Sequence, residues 1–199
     1  DESDPAALTE GLGEHYTLLE TTFKPYPCCK ALHASIDAAL ALKSAHGFDP
    51  GQVVEVVVGG YEKLARMHDI YDPPSPMAAQ FSIPYVVSVA LLRGSPGVAD
   101  FGEEPIRDRE VLSFSRKVKV VVDSEVAPHF PANEPSKVTV KLANGESFSR
   151  TVIGSKGTPS NPMNDSEIEA KFVSFASRLI PARQADAVVD TIRNLERVA

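Results

Sequence analysis

The strongest constraint on the fold is a set of short segments rich in β-branched and aromatic residues, the composition that favours strands. They are Gln52–Val58, Arg116–Val122, Lys137–Leu142, Ser147–Val152 and, nearer the start, His15–Phe23. Asn144-Gly145 lies between two of these segments, and this dipeptide is typical of a tight hairpin turn. The sequence therefore predicts a sheet of about four to five strands that is mainly antiparallel.

Helical spacing of apolar residues alternates with these strands. Leu32–Ala45 predicts a helix that ends at Gly47, and Tyr61–Met67 predicts a short helix or an irregular segment. Met77–Arg93 is a second long apolar segment, in which Pro84 either kinks one helix or marks a start near Ile83. With a further helix over 106–113, the expected class is α+β, with two to three helices on one face of the sheet.

Two helices are predicted after the last strand. Asp165–Leu179 has a capping residue in Asn164 or Asp165, and Pro181–Val198 is amphipathic. We therefore expect a flexible lead-in over 1–13, an α+β domain over 14–160 and a helical tail over 161–199. The acidic start does not resemble a signal peptide, and without a first Met the chain is expected to be a processed product or part of a longer protein.

Composition excludes several classes of function. The 199 residues contain 20 Lys and Arg against 27 Asp and Glu, a net charge of −7, without a basic patch that would favour nucleic acid. No apolar run approaches the roughly 18 residues of a membrane span. The two cysteines are adjacent, which is too close for a relaxed disulfide. A zinc site is not expected, because the sequence has no second pair of cysteines. A reducing cytoplasm is the expected location.

The segment FKPYPCCKALH concentrates reactive side chains before the first long helix. His33 at the helix start can face a cleft, or it can be a buried histidine that holds a loop carbonyl. Lys24 and Lys30 can bind a carboxylate, or they can be solvated loop lysines. Cys28 and Cys29 can supply a thiolate activated by these neighbours, or they can be small core residues.

The segment QFSIPY is a second candidate site. Gln80, Ser82 and Tyr85 place polar groups at a helix start, where free amides suit an oxyanion. The alternative is that Ser82 caps the helix and Tyr85 lies in the core. His68, Asp69 and Tyr71 form either a small polar cluster or an exposed turn. The Gly- and Pro-rich stretch over 154–164 lacks the spacing of a phosphate loop.

Long segments of the chain resemble one protein family. FKPYPCCKALHASIDAALAL, AAQFSIPYVVSVALLRG, KVTVKLANGESFSRTV and NPMNDSEIEAKF are similar to, and in the same order as, segments of the MmgE/PrpD family. In that family a similar F-K-P-Y-P-C-C-x(3)-H segment precedes a helix rich in Asp and Ala. The resemblance covers nearly the whole chain.

The resemblance implies a domain arrangement. Family members are considerably longer, with a large all-helical domain and a smaller α+β lid, and their C-terminus returns to the helical domain. The chain then corresponds to the lid, over 14–160, plus the returning tail. The partners implied are a small carboxylate, the helical domain of the same protein or of a partner chain, and a second copy in a homodimer.

The resemblance also implies a chemistry. Family members are lyases and isomerases that move a proton next to a carboxylate, with loss of water, loss of CO2 or inversion at carbon, and no metal or organic cofactor is implied. His33 is then the catalytic acid or base or a ligand of the substrate, and Lys30 helps to hold a carboxylate. Cys29 stands where some members carry a histidine. It joins Gln80, Ser82 and Tyr85 as an implied substrate-binding residue.

Three hypotheses follow from these observations. The first is the C-terminal lid region of such a lyase or isomerase, inactive without its helical half. The second is a free-standing module that binds a small molecule or a protein and reuses the lid fold. The third is a thiol enzyme that uses Cys28 or Cys29.

Overall fold

The centre of the protein is a four-stranded sheet, seen in a computed structural model that describes residues 4–197. Its strands are β1 (Val53–Gly60), β2 (Val118–Val122), β3 (Ser136–Leu142) and β4 (Ser147–Val152). The order is β2-β1-β3-β4, in which β1 pairs in parallel with β2, and the other two pairings are antiparallel. The predicted hairpin between β3 and β4 is confirmed, with Gly145 at a φ of +89° in its turn.

Seven α-helices accompany the sheet within residues 4–197. They are α1 (His33–His46), α2 (Glu62–Met67), α3 (Pro76–Ala79), α4 (Ile83–Arg93), α5 (Arg109–Ser115), α6 (Asp165–Ala176) and α7 (Ala182–Arg193). The helices α1 and α4 pack against each other and against one face of the sheet. Leu32, Ile36, Val56, Val58 and Val140 are buried between these layers. This arrangement confirms the predicted α+β class.

The opposite face of the sheet is charged. Glu55 on β1 pairs with Lys119 at 2.5 Å and with Lys141 at 2.6 Å, across both neighbouring strands. Such exposed pairs contribute little stability, but they keep this face in water. The helices therefore cover only one side of the sheet, and the N-terminal end of α1 lies on that side.

The sequence between α3 and α4 resolves the question raised by Pro84. Ser82 caps α4, because its hydroxyl accepts a hydrogen bond from the Tyr85 amide at 3.0 Å, and Pro84 occupies the first turn. The chain therefore forms two helices here, and the predicted start near Ile83 is confirmed. The helix predicted over 106–113 begins later, at Arg109, because Asp108 caps it there.

The strand predicted over His15–Phe23 is wrong. Thr17–Glu20 forms a 3-10 helix, and Leu18 and Leu19 are largely exposed. A β-rich composition makes a strand only where a neighbouring strand offers backbone partners, and no sheet edge in residues 4–197 reaches this segment. Part of the predicted lead-in over 1–13 lies outside the described residues, and Pro5–Leu8 within it forms a 3-10 helix.

The two C-terminal helices contact each other. Asn164 caps α6 in a reciprocal arrangement with Glu167, and Arg193 of α7 pairs with Glu169 of α6 at 2.5 Å. Several of their apolar side chains remain exposed over more than a third of their surface, among them Ile168, Phe172, Phe175, Val188 and Ile192. Val198, the last residue of the predicted final helix, lies outside the described residues. Within 4–197 no helix combines the length and apolar character needed to cross a membrane.

Candidate functional site

Residues 23–30, which we name the cleft loop, are held between two other loops. The Cys29 amide donates to the Gln80 carbonyl at 2.9 Å, and the Gln80 side chain donates to the Pro27 carbonyl at 3.0 Å. On the other side, the Phe23 amide donates to the Gly157 carbonyl at 2.9 Å. Because Pro25 and Pro27 have no amide hydrogen and favour an extended backbone, the cleft loop cannot join a helix and runs between these partners.

A cavity of about 400 Å³, which we name the lysine cleft, lies on one side of the cleft loop. Its lining includes Lys24, Cys29, Gln80, Phe81, Lys171 and Phe175. The Lys171 ammonium donates to the Lys24 carbonyl at 2.8 Å, which brings α6 against the cleft loop. No aspartate or glutamate lines this cavity among the described residues, although the whole chain carries a net charge of −7. The lysine cleft is therefore suited to an anion.

His33 lies at the start of α1 and is fully buried. Neither of its ring nitrogens has a hydrogen-bond partner within residues 4–197, although buried polar groups are normally paired. The Tyr26 ring meets the imidazole edge-on, with centroids 5.1 Å apart. Burial, reinforced by the positive charge of Lys30, lowers the pKa of His33 from 6.5 to about 3. The imidazole is therefore neutral at physiological pH.

The electrostatic surroundings of His33 connect it with the lysine cleft. After burial and Lys30, the charges that lower its pKa further are those of Lys24 and Lys171, both of which line the lysine cleft. The charges of three lysines therefore all favour the neutral form of this imidazole. A bound carboxylate would offset these positive charges and raise the pKa of His33.

Lys30 points to a different concavity from Lys24. Its ammonium donates a short hydrogen bond to the Ser155 hydroxyl, and both residues line a second cavity of about 340 Å³ with Glu134 and Thr158. Burial lowers the pKa of Lys30, and the charge of Glu134 opposes the shift. Lys30 and Lys24 thus line different cavities, and the structure does not bring them into one.

The two cysteines occupy different environments. Cys28 is buried, which raises the pKa of its thiol to about 12 and makes it a poor nucleophile at neutral pH. Cys29 is half-buried, and both cysteines contribute to the lining of the lysine cleft. Both thiols are free. The described residues contain no group of three His, Cys, Asp or Glu side chains placed to hold a metal ion.

The QFSIPY residues contribute unequally to the lysine cleft. Gln80 lines it, with its side-chain amide already donating to the Pro27 carbonyl. Ser82 and Tyr85 are fully buried, and their hydroxyls donate at 2.5 Å to the Ile70 and Asp100 carbonyls. The structure therefore places these two in the core, away from the lysine cleft. His68 is also buried, and its Nδ1 lies 2.8 Å from the Phe81 carbonyl oxygen.

Two residues at this site are absent from the sequence-based candidates. Lys171 lies on α6 and Asp37 lies on α1. Both fall within the segments NPMNDSEIEAKF and FKPYPCCKALHASIDAALAL, but residue spacing alone does not distinguish either one from an ordinary helix residue. The contact between Lys171 and Lys24 joins positions 147 residues apart. Only the way the tail folds back on the cleft loop reveals it.

Comparison with known proteins gives a consistent result. Residues 26–197 match the MmgE/PrpD C-terminal domain. The chain is 23% identical to human cis-aconitate decarboxylase over 181 residues, which is 89% of this chain and 37% of that protein. It is 22% identical to cis-aconitate decarboxylase from Aspergillus terreus over 204 aligned positions, covering 96% of this chain and 41% of that protein. The chain thus spans about two fifths of the length of these relatives, and it belongs to the MmgE/PrpD family through its C-terminal domain.

Proposed function

We propose that the chain forms one wall of an active site in which a small di- or tricarboxylate loses or shifts a proton next to a carboxylate. The observation that carries this proposal is the lysine cleft, in which Lys24 and Lys171 meet without a lining carboxylate beside the neutral His33. Lysine ammonium groups bind carboxylates as point charges, and charge-assisted hydrogen bonds of this kind are short and strong.

In this proposal the roles are divided among three groups. Lys24 and Lys171 hold carboxylates and stabilise the negative charge that develops when the neighbouring carbon loses its proton. His33, neutral before substrate binds, accepts that proton or returns it. Because His33 is fully buried behind Tyr26, the cleft loop has to move before the imidazole meets a substrate. Cys29, at the wall of the lysine cleft, contacts the substrate in this scheme.

The two relatives named above are decarboxylases of cis-aconitate, so loss of CO2 from an unsaturated tricarboxylate is one reaction open to this site. Dehydration and epimerisation require the same proton transfer and differ in the groups that face the substrate from the other wall. Because the chain spans only 37% and 41% of the two relatives, we propose that a helical domain supplies that wall.

The exposed apolar side chains of α6 and α7 are the proposed contact with the helical domain, since an uncovered apolar stripe is costly in water. A homodimer is a second way to cover this surface. The free thiols Cys28 and Cys29 are compatible with a cytoplasmic location.

The isolated 199-residue chain is expected to give no turnover of cis-aconitate, 2-methylcitrate or iminodisuccinate above the buffer background. The physical reason is that binding and proton transfer need groups on both sides of the substrate. Product formation followed by mass spectrometry checks this expectation. Robust turnover by the chain alone would show that the second wall is not required.

Removing one positive charge from the lysine cleft should weaken carboxylate binding selectively. We expect Lys24→Gln or Lys171→Gln to lower the affinity for citrate by about tenfold each, because each loses a charge-assisted hydrogen bond. Lys63→Gln, at an exposed lysine on α2, is the matched control and should leave the affinity within about twofold. Calorimetric titration at low salt measures all three. Equal losses in all three variants would mean that citrate responds to overall charge and not to the cleft.

The alternative of a free-standing binding module makes a different prediction. Such a module needs no second wall. The reading frame around it would then encode no helical domain, and no partner chain would supply one. An encoded helical domain, together with activity restored when the two parts are combined, supports the enzyme proposal.

A further inference from the structure

Asp37 connects the cleft loop and the 154–161 loop to α1. It lies on α1, four residues after His33, and is half-buried. Its Oδ1 accepts a hydrogen bond from the Tyr26 hydroxyl at 2.5 Å, and its Oδ2 accepts one from the Lys156 amide at 2.6 Å. One carboxylate therefore joins the cleft loop and the 154–161 loop to the helix that carries His33.

The contact with Tyr26 determines what lies over His33. The Tyr26 ring stands edge-on against the imidazole, with 65° between the ring planes, and both residues are buried. Burial, together with the charge and hydrogen bond of Asp37, raises the pKa of Tyr26, so its hydroxyl remains a proton donor to the carboxylate. Hydrogen bonds to an ionised carboxylate are roughly twice as strong as neutral ones.

The contact with Lys156 extends the connection to the other side of the site. The Lys156 ammonium pairs with Glu167 of α6 at 2.8 Å, and α6 also carries Lys171. The neighbouring Gly157 accepts the hydrogen bond from the Phe23 amide at the start of the cleft loop. Asp37 thus links α1 to the cleft loop and to the 154–161 loop, and the 154–161 loop is linked in turn to α6.

We propose that Asp37 is a positioning residue that holds Tyr26 over His33 and so controls access to the imidazole. That Asp37 controls access to His33 depends only on the contacts described above. That this access matters for a substrate rests on the proposed carboxylate site. Within residues 4–197, the Asp37 side chain accepts hydrogen bonds from the Tyr26 hydroxyl and the Lys156 amide, and Asp37 acts through Tyr26 and the two loops.

Reaction with diethyl pyrocarbonate tests the proposal, because the reagent modifies neutral, accessible imidazoles and the modified histidine is identified by peptide mass spectrometry. In the parent chain His33 should be protected, and the exposed His15 should react readily. In Tyr26→Phe, which keeps the ring and removes only the hydroxyl, we expect His33 to react about tenfold faster, the factor corresponding to one hydrogen bond to a charged group. Asp37→Asn should act in the same direction.

Two controls separate local opening from general loosening. His68 is buried in the same molecule, and its reaction rate should not change in either variant. Tyr71→Phe removes a hydroxyl that donates to the Val118 carbonyl at 2.7 Å, in a part of the molecule remote from the cleft loop along the chain, and should leave His33 protected. Unchanged protection of His33 in folded Tyr26→Phe, or equal acceleration at His33 and His68, would overturn the proposal.

Citrate titration of the same variants distinguishes this inference from the proposed function. If His33 becomes reactive in Tyr26→Phe while even the parent chain fails to bind citrate, the positioning role stands and the carboxylate site fails. If the parent binds citrate and His33 stays protected in Tyr26→Phe, the carboxylate site stands and the positioning role fails.

Discussion

Replacing Gly157 with alanine is expected to destabilise the protein by about 3 kcal/mol or more and to detach the cleft loop from the 154–161 loop. Gly157 has a φ of +86°, a backbone conformation that is energetically unfavourable for a residue with a Cβ. An added Cβ would also lie 1.8 Å from the Phe23 carbonyl oxygen. This neighbour is backbone and cannot rotate away, so the hydrogen bond between the Phe23 amide and the Gly157 carbonyl would be lost with it.

Gly145→Ala is the matched control for this prediction. Gly145 has nearly the same φ, +89°, but no heavy atom of another described residue, its chain neighbours aside, lies within 4 Å of an added Cβ. Only the conformational strain remains there, and we expect a loss of about 1 kcal/mol. Urea unfolding of both variants gives the two free energies. Similar losses in the two variants would mean that close approach of the loops does not matter.

Lowering the pH below 6.5 is expected to destabilise the protein in part through His33. The pKa of this histidine is about 3 in the folded protein and 6.5 as the ordinary value, so between these limits only the unfolded chain takes up the proton. The contribution to stability is complete above pH 6.5 and decreases by about 1.4 kcal/mol per pH unit as the pH falls towards 3. At pH 5 the loss from this one group is about 2 kcal/mol.

His33→Phe isolates this contribution. Phenylalanine has no group to protonate, and replacing an unpaired buried polar side chain by an apolar one is often nearly neutral or stabilising. When the free energy of unfolding is measured at pH 7, 6, 5 and 4, the variant should lose less stability than the parent as the pH falls. The curves of the two proteins should therefore converge or cross. His15→Gln, at an exposed histidine, should follow the parent curve. Parallel curves for the parent and His33→Phe would mean that His33 is not buried in its neutral form.

The parts of the fold that follow from local chemistry are predictable from the sequence. Asn144-Gly145 specifies the hairpin because a turn with positive φ needs such residues, and Ser82 with Pro84 specifies the start of α4 because one caps and the other fits a first turn. His15–Phe23 is mispredicted for the complementary reason. Its composition suits a strand, but pairing depends on a neighbour that the segment itself does not encode.

The candidate site is predictable only in part. The FKPYPCC segment identifies the cleft loop and brings Lys24, Cys29 and His33 into consideration. It does not indicate that Lys24 and Lys30 line two different cavities. Lys171 and Asp37 depend on contacts between distant parts of the chain, which periodicity and spacing cannot reveal. Ser82 and Tyr85 are candidates that the structure places in the core. Polar residues at a helix start are equally suited to a binding site, to capping and to the core, so the sequence alone does not distinguish these roles.

The central claim is that small polycarboxylates bind in the lysine cleft, and a nuclear magnetic resonance titration of the 199-residue chain with citrate tests it most directly. Saturable amide shifts are predicted for the non-proline residues that line the cleft, with their loss in Lys24→Gln: Lys24, Tyr26, Cys28, Cys29, Gln80, Phe81, Lys171 and Phe175. Shifts confined to the second cavity around Lys30 and Ser155, or no saturable shifts at all, would contradict the claim.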